Sequence, residues 1–397
     1  MKVVVLGGAG KMGKGIVRDL VSKESKGIEK VVVADVSVER AKKLVEELKD
    51  RRLEAVHLDV TDKEKTIDLL KKVDVCVNTV PIPLGYQLDI FHYCLETKRP
   101  YLDLGGLGIY TSIQKEEHEK WAREGVAAIL GLGSAPGLSN VLVKAVAGKF
   151  DKIDKINLYW AAKLIGPESP VFVPPYNILT LLAEYGYNSK QFIDGKLVEM
   201  PPQSGKQTLV VEEPFGEMEF MHSMHSETST VPFAKGIKDK GIKEFTWRLH
   251  FPEKGHEVMK SLMKVGFGDF DQPLKMKGVE IKPGEFLEVL IERNIEKNKD
   301  RIPEQTDYEI HFAIGEGEKG GKRVKATCTL YAYPDPFFDG YNDPATSMSA
   351  SIGAQILGRG EIPPGVWGPE ECLDVKEFFA EMKRRHFRIT VKTEEEM

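Results

Sequence analysis

Lys2-Val3-Val4-Val5-Leu6-Gly7-Gly8-Ala9-Gly10-Lys11-Met12-Gly13 passes from an apolar run directly into closely spaced glycines. The run has strand composition, and Met12, Ile16, Val17 and Leu20 follow at helical spacing, so the glycines sit in a strand-to-helix turn. Gly8 is expected to permit the tight turn and Gly10 to let the backbone approach a pyrophosphate. Gly13 is expected to let the helix pack closely on the sheet, with its first N–H groups facing the phosphates. With 37 glycines in 397 residues such a spacing arises by chance, so its context decides. A second apolar run, Lys30-Val31-Val32-Val33-Ala34, ends in Asp35, about twenty residues beyond the last glycine, where a dinucleotide fingerprint places an acid for the adenosine ribose. The stretch Gly8 to Lys14 also fits the GxxxxGK of a P-loop, but Gly15 stands where that motif needs a Ser or Thr for magnesium.

The Asp35 carboxylate suits a ribose 2′-hydroxyl and repels a 2′-phosphate, so NAD is expected as cofactor in preference to NADP. Two features stand against that reading. Asp35 can equally serve as a cap for the helix starting near Ser37, and Arg40 and Lys42 are close enough to neutralise a phosphate.

A net charge of −5 with 29% charged residues advertises no basic surface, so nucleic acid is not an expected partner. The start lacks a signal-peptide pattern and no run approaches bilayer length, which predicts a cytoplasmic protein with no membrane association. Cys76, Cys94, Cys328 and Cys372 form no CxxC pair and read as buried small hydrophobes.

Helix and strand continue to alternate after Asp35, with helices over 37–48, 62–72, 84–97 and 112–124 and strands at 55–58, 74–78, 101–103 and 126–130. This predicts a Rossmann doubly wound parallel sheet, an α/β fold, over residues 1–135. Ligands of such sheets lie beyond the carboxyl ends of the strands. The cofactor rim is therefore placed at Lys11, Met12, Asp59, Val60, Thr79, Val80 and Pro81, with the loops Asp103 to Gly106 and Gly131 to Gly137 beside it. Past the helix 138–149, strand-like runs at 153–161, 245–251, 285–291 and 325–333 predict a second, mixed α+β domain over 136–346, with a largely antiparallel sheet. Residues 347–397 read as helices that pack back on the first domain. Only Glu394-Glu395-Glu396 looks disordered.

Over nearly its full length the chain resembles the saccharopine dehydrogenase superfamily. The resemblance is carried by the glycine turn, Ala135-Pro136-Gly137-Leu138-Ser139-Asn140, Met224-His225-Ser226-Glu227 and the tail Gly360-Glu361-Ile362-Pro363-Pro364-Gly365-Val366-Trp367-Gly368-Pro369-Glu370-Glu371. Saccharopine reductases typically carry Asp-Pro-Gly in the first of these loops, and a Tyr soon after the fifth strand. Here Ala135 precedes Pro136-Gly137, and Gly105-Gly106 follows Asp103. The Ala-Pro-Gly-Leu-Ser-Asn version looks like the lysine 6-dehydrogenase branch, whose members oxidatively deaminate the side-chain amine of lysine with NAD. Glu184-Tyr185 followed by Phe192-Ile193-Asp194-Gly195-Lys196 is similar to a stretch of that branch.

The implied chemistry needs a base, because an ammonium with a reference pKa of about 10.4 must lose a proton before hydride leaves the adjacent carbon. His225 and Glu227 are the candidates, expected on a strand where residues two apart share a face, with Asp103 at the rim as a third. Ser139 and Asn140, at a helix start, and Glu184 and Tyr185 are expected to bind the amino-acid substrate. The plainer readings are a helix cap for Ser139 and Asn140, a structural histidine for His225 and a core aromatic for Tyr185. His222 and His225 form an HxxH without a third ligand, so no metal is expected. An opine-type dehydrogenase joining an amino acid to an oxo acid, and a dinucleotide-binding protein without catalysis, stand as alternatives. Edge strands in the second domain predict a homodimer or homotetramer.

Overall fold

The computed structural model describes residues 1–105 and 108–395, so Gly106 of the expected rim and Glu396 lie outside the described residues. The first sheet is built from β1 (Lys2–Leu6), β2 (Lys30–Asp35), β3 (Leu53–His57), β4 (Val75–Asn78), β5 (Tyr101–Asp103) and β6 (Ala127–Ile129). The second holds β7 (Lys152–Ile165), β8 (Ser189–Ile193), β9 (Lys196–Met200), β10 (Gln207–Val211), β11 (Gly216–His222) and β12 (Glu244–His250). A small hairpin of β13 (Leu274–Met276) and β14 (Val279–Ile281) precedes β15 (Thr306–Lys319) and β16 (Lys322–Ala332), and β17 (Gly365–Trp367) and β18 (Arg388–Glu395) end the chain.

The first sheet runs β17-β6-β5-β4-β1-β2-β3, and every pairing in it is parallel. Strand order reverses between β1 and β4, which puts the glycine turn at the crevice where doubly wound sheets bind their ligands. Val3, Val4 and Val5 are fully buried, as a parallel strand covered on both faces requires. The second sheet is mixed: β7 pairs β12 in parallel but β15 antiparallel, and the remaining pairings are antiparallel.

The run 285–291, read from sequence as a strand, lies in the helix Pro283–Lys297. Pro283 opens the helix, a position where its missing N–H costs nothing, and a run of mixed apolar residues of that length does not separate strand from helix. The last fifty residues are not helical throughout. The three-residue β17 joins the parallel sheet beside β6, and β18 covers the edge of β16 through Glu395, so Glu394 and Glu395 are ordered by ladder hydrogen bonds.

The helix Pro344–Gly358 lies on the helix Lys11–Leu20, where Ser347 occupies the space a side chain at Gly15 would need. Arg385, at the end of the helix Val375–Arg384, reaches the same helix and ion-pairs with Asp19; both side chains are fully buried. No helix among the described residues is long and apolar enough to cross a membrane.

Candidate active site

The left-handed residue of the glycine turn is Gly7, with φ +72, rather than Gly8. Gly7 N–H and Gly8 N–H both donate to Ala34 O, so the turn begins one residue earlier than the spacing suggested. At Gly8 the constraint is steric, because a Cβ would come within 2.8 Å of Val5 O. At Gly13 a Cβ would come within 2.5 Å of Gly7 O and 2.7 Å of Gly8 Cα, the close helix-to-turn packing expected of the third glycine. A Cβ on Gly10 would meet only Gly7 O, and Gly10, as the cap of its helix, has no side chain to occupy the first-turn N–H groups. Backbone donors and open space at a helix N-terminus fit a dinucleotide pyrophosphate.

Asp35 ends β2 almost wholly buried. Its Oδ2 accepts from Ala9 N–H at 3.1 Å, and its Oδ1 accepts from Ser37 N–H at 2.9 Å and from Arg40 at 3.3 Å. The carboxylate therefore anchors the glycine loop. Ser37, not Asp35, caps the following helix through Arg40 N–H. Thr79 continues β4 by donating to Leu6 O, and Val80 N–H donates to Asn78 Oδ1; Pro81 and Asp59 are exposed, with Val60 half-buried beside them. Lys11 Nζ donates to Pro175 O and Lys11 O accepts from Asn342, so the glycine loop touches the second domain, and Met12 is half-buried behind it.

Asp103 does not stand free as a base. Gly105 N–H and Gly131 N–H donate to its Oδ1 at 3.0 and 2.7 Å, and Gln87 and Gln114 donate to its Oδ2 at 2.6 and 3.2 Å. Burial raises its pKa in spite of these four donors. A side chain so occupied is a clamp: it ties the turns at Gly105 (φ +108) and Gly131 (φ +67) together, with the Pro136 ring seated against both. A turn-forming Asp and a rim base look the same in sequence, and the packing of two loops separates them.

His225 and Glu227 are not on a strand. His225 lies in the loop after β11, and Glu227 starts the short helix Glu227–Thr230. The loop brings them together nonetheless, His225 Nδ1 and Glu227 Oε2 sharing a 2.6 Å hydrogen bond. Glu184, from the helix Ile178–Gly186, places Oε1 4.0 Å from His225 Nε2 and accepts the Tyr176 hydroxyl on Oε2. The imidazole stacks on Trp247 of β12 at 4.5 Å. Gly108 N–H, from the loop after β5, donates to Ser226, so the cluster abuts the rim of the parallel sheet.

The electrostatics follow from this enclosure. Burial opposes charge on His225, but Glu227, by charge and hydrogen bond, and then Glu184 outweigh it, and the pKa is raised. Burial also pushes Glu184 up to about 7 against the charge of His225 and the Tyr176 hydrogen bond. Glu227 is held low, because His225 and Ser139 outweigh its burial.

Ser139 and Asn140 are interior residues. Ser139 donates to Glu227 Oε1 at 2.7 Å, and Asn140 donates to Glu370 at 2.7 Å while accepting Gly137 N–H at 2.9 Å. They hold Glu227 and the loop in place, so the structure gives them a positioning role where substrate contact was expected. Tyr185 points away from the cluster to share a 2.7 Å hydrogen bond with His256. Sequence reasoning missed Glu309 and His311 of β15, Trp160 of β7 and Tyr176. Glu309 Oε1 accepts from Trp160 at 2.7 Å and from Ser134 at 3.3 Å, and shares a 2.7 Å hydrogen bond with His311. The period-2 alternation of Asp307, Glu309 and His311 was the available signal.

Residues 3–129 match the family described as the saccharopine dehydrogenase NADP binding domain. Among solved structures, the L-Glu-forming saccharopine dehydrogenase of Saccharomyces cerevisiae, in its apo histidine-tagged form, superposes with a TM-score of 0.73 at 15% identity, covering 99% of both chains. A probable dehydrogenase from Thermotoga maritima aligns over 97% of this chain and 95% of its own, with a TM-score of 0.43 and 10% identity. An engineered D-amino acid dehydrogenase bound to NADP+ aligns over 96% of this chain and 98% of its own, with a TM-score of 0.44 and 12% identity. The saccharopine dehydrogenase match extends the shared fold over both domains. Residues 3–129 are thus similar to a saccharopine dehydrogenase dinucleotide-binding domain, and the whole chain shares the fold of the yeast enzyme.

Proposed function

We propose that the protein is a dinucleotide-dependent amino-acid dehydrogenase that oxidises a CH–NH donor, with L-lysine as substrate and NAD as cofactor. The observation that carries this reading is His225 held between Glu227 and Glu184 where the second domain meets the cofactor rim. A bound nicotinamide supplies the hydride acceptor. The chain's own residues do the rest. Glu184 and His225 Nε2 are separated by 4.0 Å, too far to bond each other, and a nitrogen at about 2.8 Å from each fits between them. Glu184 then attracts the ammonium, and neutral His225 takes its proton, the resulting imidazolium being stabilised by Glu227. The same pair can next deprotonate the water that attacks the imine and return a proton to the departing nitrogen.

The test is an assay for NADH appearance with lysine, ornithine, saccharopine and glutamate. Turnover confined to saccharopine would replace this reading with an opine-type one. Silence with all four despite tight NADH binding would favour a protein without catalysis.

NAD is proposed on the strength of Asp35. Asp35→Ala should weaken NAD binding and relax discrimination against NADP, since ribose hydrogen bonds and repulsion of a 2′-phosphate are lost together. Because Ala9 N–H also loses its acceptor, affinity for both cofactors should fall. Fluorescence titration showing that the parent protein prefers NADP would overturn the assignment.

A homodimer or homotetramer is also proposed. Leu274, Met276 and Val279 of the β13–β14 hairpin and Phe286, Val289 and Leu290 of the adjoining helix are exposed apolar side chains close in sequence. An isolated two-stranded hairpin is marginal in water, so a covering partner suits it. Sedimentation of a 44.5 kDa monomer at every working concentration would refute this.

A further inference from the structure

The face of the second sheet that carries Trp247 also carries a second polar group of residues. Across that face Trp247 pairs Leu158, Leu249 pairs Trp160, and Trp160 pairs His311, with Glu309 two residues along β15. Neighbouring strands are about 4.7–4.9 Å apart, and Leu158, the partner of Trp247, pairs Ala313, so Glu309 lies about 10 Å across and, four residues further on, about 13 Å along the sheet from Trp247. Glu184 is hydrogen-bonded to Tyr176, the Tyr176 ring meets Trp160 edge-on at 6.4 Å, and Trp160 donates to Glu309. Two aromatic rings thus separate the two carboxylates.

Glu309 is held from three sides, but only through Oε1. Its Oε2 has no hydrogen-bond partner among the described residues, and the side chain is 14% exposed. His311 is fully buried and its Nδ1 has no partner among the described residues. Buried polar atoms are rarely left so. Asp343 faces the same cluster, its carboxyl accepting from Thr346, whose Oγ1 also accepts Ser134 N–H. Burial and the Glu309 charge push Asp343 up to about 6, the state of a site with more carboxylate than counter-charge.

We propose that Glu309, with Asp343 beside it, binds the non-reacting ammonium of a diamino substrate whose other amine sits between Glu184 and His225. The proposal rests on the amine-dehydrogenase reading above and adds to it the residues that select a second positive charge. The diamine spans from Glu184 to Glu309 past Tyr176 and Trp160, which link the two carboxylates. The aromatic rings of Trp160 and Tyr176 lie along its methylenes.

The experiment compares lysine with 6-aminohexanoate, which keeps the terminal amine and the carboxylate but lacks the second ammonium. With the intact protein and NAD, Glu309→Gln should raise KM for lysine about 10- to 100-fold, the range for a lost charge-assisted hydrogen bond. KM for 6-aminohexanoate and kcat for both should stay within a few-fold of the parent. Equal changes for both compounds, or no change for either, would overturn the proposal. If no amine is oxidised, the dehydrogenase reading itself fails, and calorimetric binding of the two compounds to parent and variant decides the ammonium site separately: selective loss of lysine binding supports it, and parallel binding rejects it. If Glu309→Gln loses its fold by circular dichroism, Asp343→Asn, which still caps its helix, takes its place with the same discrimination expected.

Discussion

Replacing His225 by alanine is expected to lower kcat about 10²- to 10⁴-fold, the usual cost of losing a general base. Dinucleotide affinity should be unchanged, because the imidazole touches Glu227 and Trp247 and none of the glycine-turn residues. The pH profile carries the sharper form of this prediction. The base works when neutral, and its pKa is raised, so kcat/KM should climb with pH through a value above that of an ordinary histidine. Glu227→Gln removes the charge that offsets burial. Burial then dominates and lowers the histidine pKa, so the acidic limb should move to lower pH while turnover falls. Near-normal turnover in His225→Ala, or an acidic limb unmoved in Glu227→Gln, would place the base elsewhere.

Asp19→Ala is expected to destabilise the fold by about 3–5 kcal/mol, because it leaves the Arg385 guanidinium buried without its principal counter-charge. Arg385 Nε donates to both Asp19 oxygens at 2.9 and 3.1 Å, and its remaining nitrogens reach Glu381 at 2.7 Å and Ser25 at 3.2 Å. Glu381 alone, 26% exposed, cannot replace a fully buried partner. The double variant Asp19→Ala/Arg385→Met should recover much of the loss, since an apolar side chain has no charge to strand. Denaturant unfolding measures both, and a single-variant loss below about 1 kcal/mol would show that water reaches the guanidinium. The pair fastens the carboxy-terminal helices to the helix after the glycine turn, so NADH binding should stabilise the single variant by an amount that rises with the logarithm of NADH concentration above Kd.

The parallel sheet and its cofactor turn were legible in the sequence because both rest on local chemistry. Buried parallel strands are continuous apolar runs, as in Val3 to Leu6 and Val31 to Ala34, and three glycines answer to steric limits set within a few residues of each other. Asp35 was legible for the same reason, as the residue that ends β2. His225 and Glu227 were recognised as a pair, but on a strand that does not exist; a two-residue spacing fits a loop and a helix start equally well. What only the tertiary structure decided was which polar residues face one another. Glu184 comes to His225 from 41 positions away in sequence, Glu309 meets Trp160 through the register of β7 and β15, and Asp103 becomes a clamp because two distant loops fold onto it. Packing decided the charges as well: of two equally buried carboxyls, Glu227 is held low and Glu184 is pushed up to about 7, according to how closely the imidazole approaches each. Periodicity reports which face of an element is apolar, whereas a site depends on distances between faces, and those are fixed only when the two sheets pack.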